Sequence, residues 1–196
     1  MHFDAGVAAW ALLVAGGIAQ AQPQPPAATL AACAACHGPG GNATVAQFPS
    51  LAGQPKVFIE TQLVLIREGL REVPSMKAVM TGMGDAEIVA LARHFAAQPP
   101  APSPAAAAAP VRAAQYALGA QASRQMLCGT CHLADYSGQQ QVPRLAGQNE
   151  PYLLASMTQF RDNPGPGRDT IMAATLRGLS DADLANLAHY LSRFKP

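Results

Sequence analysis

Net charge, strand pattern and long apolar runs are all scarce in this sequence, and each shortage closes off a class of function. Charged residues make up 13% of the 196 positions, and 13 Lys and Arg nearly balance 12 Asp and Glu. That balance provides neither a basic footprint nor a strongly acidic docking face, so no nucleic-acid partner is expected. No segment reads as a convincing strand. The one run that could enter a membrane, Gly6 to Ala21, is shorter than the ~20 residues a spanning helix needs. It ends in Ala19-Gln20-Ala21, a small-residue site of the kind signal peptidase cuts, so residues 1–21 are expected to be a signal peptide. The start, Met1-His2-Phe3-Asp4, lacks the usual Lys or Arg, which keeps an uncleaved anchor as the alternative. Trp10, inside this run, has no functional reading.

Cysteine is also rare, and its placement is the sharpest signal. All four cysteines fall in two copies of Cys-x-x-Cys-His, "CAACH" at 33–37 and "CGTCH" at 128–132. Zinc ribbons want their pairs about 15 to 20 residues apart, whereas 95 positions separate Cys33 from Cys128. A redox Cys-x-x-Cys needs a thioredoxin-like strand pattern, and a structural disulfide leaves both following histidines unexplained. The pattern instead predicts covalent haem c. Cys33 and Cys36 would form thioethers to one group and Cys128 and Cys131 to a second, with His37 and His132 presented to the irons.

Proline and alanine dominate "QPPAPSPAAAAAP", and residues 98–111 are expected to be a linker. Extended at ~3.1 Å per residue it would span on the order of 40 Å, enough for two domains to dock or separate. The expected domains are 22–97 and 112–196, and they repeat each other. "FPSLAGQ" at 48–54 meets "VPRLAGQ" at 142–148. Ile59, Leu63 and Ile66 meet Leu153, Met157 and Phe160, a helical stripe in both copies, with Pro55 and Pro151 near the helix starts. Ile88, Leu91 and Phe95 meet Leu184, Leu187 and Leu191 on a terminal helix, for which Asp85 and Ser180 are plausible N-caps. Each half thus reads as a short helix with the cysteine motif, a middle helix and a terminal helix, joined by loops.

The repeat also sorts the seven methionines. Met172 follows "NPGPGRDTI", a stretch expected to be irregular, and pairs with Met76 at a shift of 96. The same shift pairs Met80 with Leu176 and Met83 with Leu179, so core packing accounts for those two sulfurs. Met76 and Met172 are therefore the candidate ligands.

The order Cys-x-x-Cys-His, Pro-x-Leu-Ala-Gly-Gln, middle helix, Met and a terminal helix opened by Gly/Ser-Asp resembles class I cytochrome c. Two such domains in one chain resemble the di-haem cytochromes of the cytochrome c4 type. The resemblance implies an all-α fold of two tandem cytochrome c domains. It implies axial pairs His37/Met76 and His132/Met172, with the carbonyls of Pro49 and Pro143 accepting from the histidine Nδ1. Leu51 and Leu145 would pack on the haems. Arg67, Arg71, Arg161 and Arg168 are candidates for the propionates, with surface exposure the simpler reading for most. His94 and His189 are expected to be exposed structural residues. Domain 1 has little chain before Cys33, which cuts the family's N-terminal helix to about two turns.

Two filled axial positions imply an electron carrier rather than an enzyme, and Met raises the reduction potential. The expected role is a periplasmic carrier of single electrons from a quinol-oxidising complex or a dehydrogenase to a terminal oxidase, touching the membrane through those partners. A tethered subunit and a di-haem peroxidase, which needs an iron without a strong sixth ligand, are the alternatives.

Overall fold

The computed structural model describes residues 1–2, 24–102 and 104–195, so the expected signal peptide and Trp10 lie outside the described residues apart from Met1 and His2. Among the described residues the elements are helical, with one isolated bridge, Gln139 to Val142, in place of any strand. No described helix is long and apolar enough to cross a membrane. Domain 1 contains α1 (Ala27–His37), α2 (Lys56–Arg67), α3 (Lys77–Met80) and α4 (Asp85–Ala96). The linker carries α5 (Pro104–Ala108). Domain 2 contains α6 (Ala113–Gln125), α7 (Cys128–His132), α8 (Glu150–Asp162), α9 (Thr170–Leu176) and α10 (Asp181–Arg193).

The apolar stripes bury as their spacing requires. Ile59, Ile88, Leu91 and Phe95 form the centre of one core, with Leu63 and Ile66 packed against it. Leu153, Met157, Leu184, Leu187 and Leu191 centre the other, with Phe160 at its edge. Pro55 is the N-cap residue of α2, and Pro151 lies in the first turn of α8, where its missing N–H costs no helical bond. Ser180 caps α10 in a full capping box with Asp183. Asp85 does not cap α4: Gly84 holds that place and Asp85 is the first helical residue, where a carboxylate still favours the helix dipole. Nor is the stretch before Met172 wholly irregular. Asp169 accepts from the Met172 N–H at 2.8 Å and starts α9, so the carboxylate supplies the helix start that Gly and Pro obscured.

The linker is folded back rather than extended. The Ala101 N–H donates to Asn42 Oδ1 at 2.7 Å, Asn42 Nδ2 donates to the Pro99 carbonyl at 3.1 Å, and Arg193 Nη1 donates to the Ala109 carbonyl at 2.9 Å. The domains meet directly through the two Leu-Ala-Gly-Gln segments. Gln54 Nε2 donates to the Arg144 carbonyl at 3.0 Å, and the Arg144 N–H donates to Gln54 Oε1 at 2.9 Å. The mirror pair joins Gln148 to Ser50, with Nε2 to carbonyl 2.9 Å and N–H to Oε1 2.8 Å. Asn149 Nδ2 adds a bond to the Phe48 carbonyl at 2.7 Å.

Candidate haem sites

In domain 1 the cysteine motif ends α1, and the chain leaves the helix at Gly38 with φ of 73°. An added Cβ there would lie 2.0 Å from the Asn42 carbonyl oxygen, so only glycine allows the loop to turn back under the motif. The return brings Pro49 to His37, whose Nδ1 lies 2.8 Å from the Pro49 carbonyl. A carbonyl can only accept, so Nδ1 carries the proton and the Nε2 lone pair is left for a metal. Burial lowers the His37 pKa, opposed by its bond to Pro49, and the ring is only 7% exposed. A neutral imidazole with a fixed tautomer is what an iron ligand requires.

Domain 2 repeats this arrangement on different backbone. Its motif forms the separate short helix α7, entered through Leu127 and left through Leu133, both with positive φ. His132 Nδ1 lies 2.8 Å from the Pro143 carbonyl, and burial again lowers its pKa against that bond. Before haem attachment, burial raises the thiol pKa values of Cys33 and Cys128.

A cavity of about 260 Å³ opens beside His37 in domain 1. It is walled by Cys33, Cys36, Leu51, Ile59, Leu63 and Phe95 and by three sulfurs, Met76, Met80 and Met83. The wall is mostly apolar, with one neutral imidazole, two thiols and thioethers as its metal-binding chemistry. That donor set fits a covalently held haem c and excludes a hard cation, which would want oxygen ligands. Met76 ends a 3₁₀ turn over Pro74–Met76 and is partly buried, whereas Met80 and Met83 are 2% and 6% exposed. In domain 2 the partly buried Cys128, Leu145 and Met172 pack against the domain's core, and Leu176 is buried at the place of Met80.

Two groups of residues differ from expectation. Arg67 Nη1 donates to Asp85 at 2.6 Å and to the Met83 carbonyl at 3.1 Å; Arg161 reaches Asp181 at 2.7 Å and the Leu179 carbonyl at 2.9 Å. These two guanidiniums tie the middle helix to the start of the terminal helix and are not plain surface residues. Arg71 and Arg168 donate to Gln62 and Gln159. His189 is 0% exposed rather than exposed, because Glu150 and the Arg112 backbone occupy both of its ring nitrogens. His94 is half-buried on α4, its ring edge-on to Phe95. One residue that sequence reasoning missed is Tyr152, which lies on α8 of domain 2 yet lines the domain 1 cavity. Its repeat partner Phe58 lines the same cavity, so an aromatic shared by both copies was the available signal.

Comparison with known proteins agrees with this geometry. Cytochrome c4 from Azotobacter vinelandii is 32% identical over 178 residues, covering 82% of this chain and 83% of the relative. The chain belongs to the cytochrome c4 family. Its second half, residues 116–195, matches the family described as "Cytochrome c", and residues 21–94 match "Cytochrome C oxidase, cbb3-type, subunit III". The crystal structure of reduced recombinant cytochrome c4 from Pseudomonas stutzeri superposes with a TM-score of 0.77 at 26% identity, covering 86% of this chain and 96% of that one. A relative named "Thiosulfate dehydrogenase electron acceptor", from Thiomonas intermedia, is 29% identical over 170 residues, covering 83% of this chain and 78% of its own. The chain is thus an all-α, di-haem electron carrier of the cytochrome c4 type with two covalently bound haem c groups.

Proposed function

We propose that this carrier works in the periplasm, taking single electrons from a quinol-oxidising complex or a dehydrogenase and passing them to a terminal oxidase, without enzymatic activity of its own. Cys33 and Cys36 hold one haem and Cys128 and Cys131 the other. His37 with Met76, and His132 with Met172, are the axial ligands. The observation that carries the ligand reading is the pair of buried histidines, each locked by a proline carbonyl at 2.8 Å with Nε2 left over. When bound, the haem supplies an iron that cycles by one electron. The chain's own part is to hold neutral imidazoles, keep water away with Leu51 and Ile59 and their domain 2 counterparts, and supply thioether sulfur. With both axial positions filled, no site at the iron is open to peroxide or oxygen. The dehydrogenase as donor is supported by the relative from Thiomonas intermedia, whose name states that role for that protein.

Visible spectra of both oxidation states test the ligand set through the weak red band of sulfur bonded to ferric haem. Met80→Leu is expected to leave the band whole, and Met76→Ala to diminish it. The opposite result moves the ligand to Met80 and overturns the repeat register in domain 1. A high-spin fraction with peroxide turnover in the wild type would overturn the non-enzymatic reading.

A further inference from the structure

The reciprocal glutamine bonds between the domains and the histidine bonds within them meet on the same two peptide groups. The carbonyl of the Pro49–Ser50 peptide accepts from His37 Nδ1 at 2.8 Å, and the N–H of that same peptide donates to Gln148 Oε1 of domain 2 at 2.8 Å. The Pro143–Arg144 peptide does the same in reverse: its carbonyl accepts from His132 at 2.8 Å, and its N–H donates to Gln54 Oε1 of domain 1 at 2.9 Å. Gln54, Gln148 and Ser50 are between 4% and 8% exposed, while Pro49, Pro143 and Arg144 are half-buried. Each glutamine also anchors itself by donating Nε2 to the carbonyl of the residue it grips, Arg144 or Ser50. Gln148 Oε1 takes a second N–H, from Asn149 at 2.9 Å, so its orientation is fixed more firmly than that of Gln54.

We infer that Gln54 and Gln148 are crossed tuning residues, each setting the ligand strength of the histidine in the other domain. An acceptor on a peptide N–H pushes electron density toward the peptide's own carbonyl, and linked hydrogen bonds strengthen one another in a dry environment. A more negative Pro49 carbonyl is a better acceptor for His37 Nδ1–H, which makes Nε2 a more basic ligand and favours the ferric state. Domain docking therefore lowers the potential of each haem through the partner domain's glutamine, and loosening the interface raises both. The inference rests on the proposed reading of His37 and His132 as ligands.

The test is Gln148→Leu and Gln54→Leu in the full-length di-haem protein, reading the reduction potential of each haem and the proton resonance of each histidine Nδ1–H. Gln148→Leu is expected to shift the domain 1 haem toward the reduced form by about threefold, roughly 30 mV at 59 mV per tenfold. It should move the His37 resonance and leave that of His132 in place; Gln54→Leu should do the converse. Gln148→Glu, at pH 8, keeps an acceptor oxygen but loses the Nε2 bond to Ser50 and adds a negative charge, so the decisive result is a lower domain 1 potential together with a moved His37 resonance and an unmoved His132 resonance. Mere loosening of the interface would move the potential the same way in both variants. Shifts confined to the variant's own domain, equal shifts in both haems, or no shift overturn the relay. Failure of the ligand reading is separately visible as a low-spin spectrum that survives His37→Ala.

Discussion

At the turn after the cysteine motif, domain 1 has Gly41 and domain 2 has Tyr136, and the two do the same backbone work. The Gly41 carbonyl accepts from Leu51 and Ala52 at 2.7 and 3.1 Å, and that of Tyr136 from Leu145 and Ala146 at 2.9 and 3.2 Å. Both have positive φ, 78° and 54°, which costs nothing for glycine and about 1–2 kcal/mol for tyrosine. What offsets the cost is packing. Domain 1 closes Phe95 on the bare glycine, whose added Cβ would lie 2.7 Å from the ring. Domain 2 has Leu191 at that place and fills the space with the Tyr136 ring, edge-on to Tyr190 and Phe194 at 5.8 and 4.7 Å. The Tyr136 hydroxyl bonds Ser123 of α6 at 2.8 Å. The difference traces to one element: domain 2 has a full N-terminal helix to pack against α10, and domain 1 replaces it with α1, held by Leu30 and a Thr29 to Glu87 bond of 2.5 Å.

The comparison is broken most forcefully at the proposed sulfur ligands. Met172 is the one sulfur on α9, where Leu176 is buried, whereas Met76 has Met80 facing the same cavity. Met172→Ala is expected to remove the whole sulfur band of its haem. Met76→Ala should retain part of the other haem's band, and adding Met80→Leu should abolish the remainder. Equal losses in the two single variants would show that the domains do not differ in this respect.

Next in size is the α6–α10 crossing, the most extensively packed helix pair among the described residues. A Cβ on Gly119 would lie 2.1 Å from the Asn186 carbonyl oxygen and 2.6 Å from Tyr190 Cβ. An exposed helical Gly→Ala change gains about 1 kcal/mol, whereas overpacking a closed crossing costs about 3 kcal/mol. Gly119→Ala should therefore destabilise domain 2 in denaturant, and Thr29→Ala at the lighter contact of domain 1 should cost about 1 kcal/mol. A stabilised Gly119→Ala protein would mean that α6 does not press on α10. Tyr116, Tyr136 and Tyr190 pack in the domain 2 core whereas Tyr152 reaches the domain 1 cavity, so the ring proton resonances of the first three report domain 2 selectively.

A smaller effect is expected at the start of α9. Asp169→Ala removes the bond to the Met172 N–H and should cost about 1 kcal/mol. Faster hydrogen exchange at the Met172 amide would register it. Domain 1 has no such cap, since α3 follows the 3₁₀ turn with no side-chain bond at its start. Unchanged exchange would make the two methionine segments equivalent in anchoring.

What the sequence made legible were the features that each copy repeats on its own: the apolar stripes, the cysteine motifs, the prolines that meet His37 and His132, and the register through Leu176 and Leu179. What it hid depends on where the chain goes next. Asp85 looked like a cap because carboxylates cap helices, but the repeat register puts Gly84, not Asp85, opposite Ser180. Arg67 and Arg161 looked like surface charge until Asp85 and Asp181 came within 2.6 and 2.7 Å. Gln54 and Gln148 were visible as a shared residue, yet their partners lie across the domain interface, 90 and 98 positions away, where no periodicity reaches.

His189 gives the last and smallest contrast. Glu150 and His189 of domain 2 stand where domain 1 has Lys56 and Arg93 in the repeat register. The His189 Nδ1 lies 3.0 Å from Glu150 Oε2, its Nε2 accepts from the Arg112 N–H at 3.1 Å, and the Arg112 guanidinium also pairs with Glu150. This tie fastens the end of the linker to α8 and α10. Burial pushes the Glu150 pKa up, but the bonds from His189 and Arg112 and the Arg112 charge outweigh it and hold the carboxyl below its usual range. A depressed folded-state pKa gives stability that is complete above the unfolded value of about 4.3 and is lost as pH falls through the folded value. With the Glu150 side chain 25% exposed, the contribution should not exceed about 1 kcal/mol. Acid should therefore loosen domain 2 at this tie while domain 1 has no counterpart to lose. In Glu150→Gln the folded-state ring resonances of Tyr136 and Tyr190 should fade less steeply below about pH 4 than in wild type; parallel acid limbs in the two proteins would remove Glu150 from the comparison.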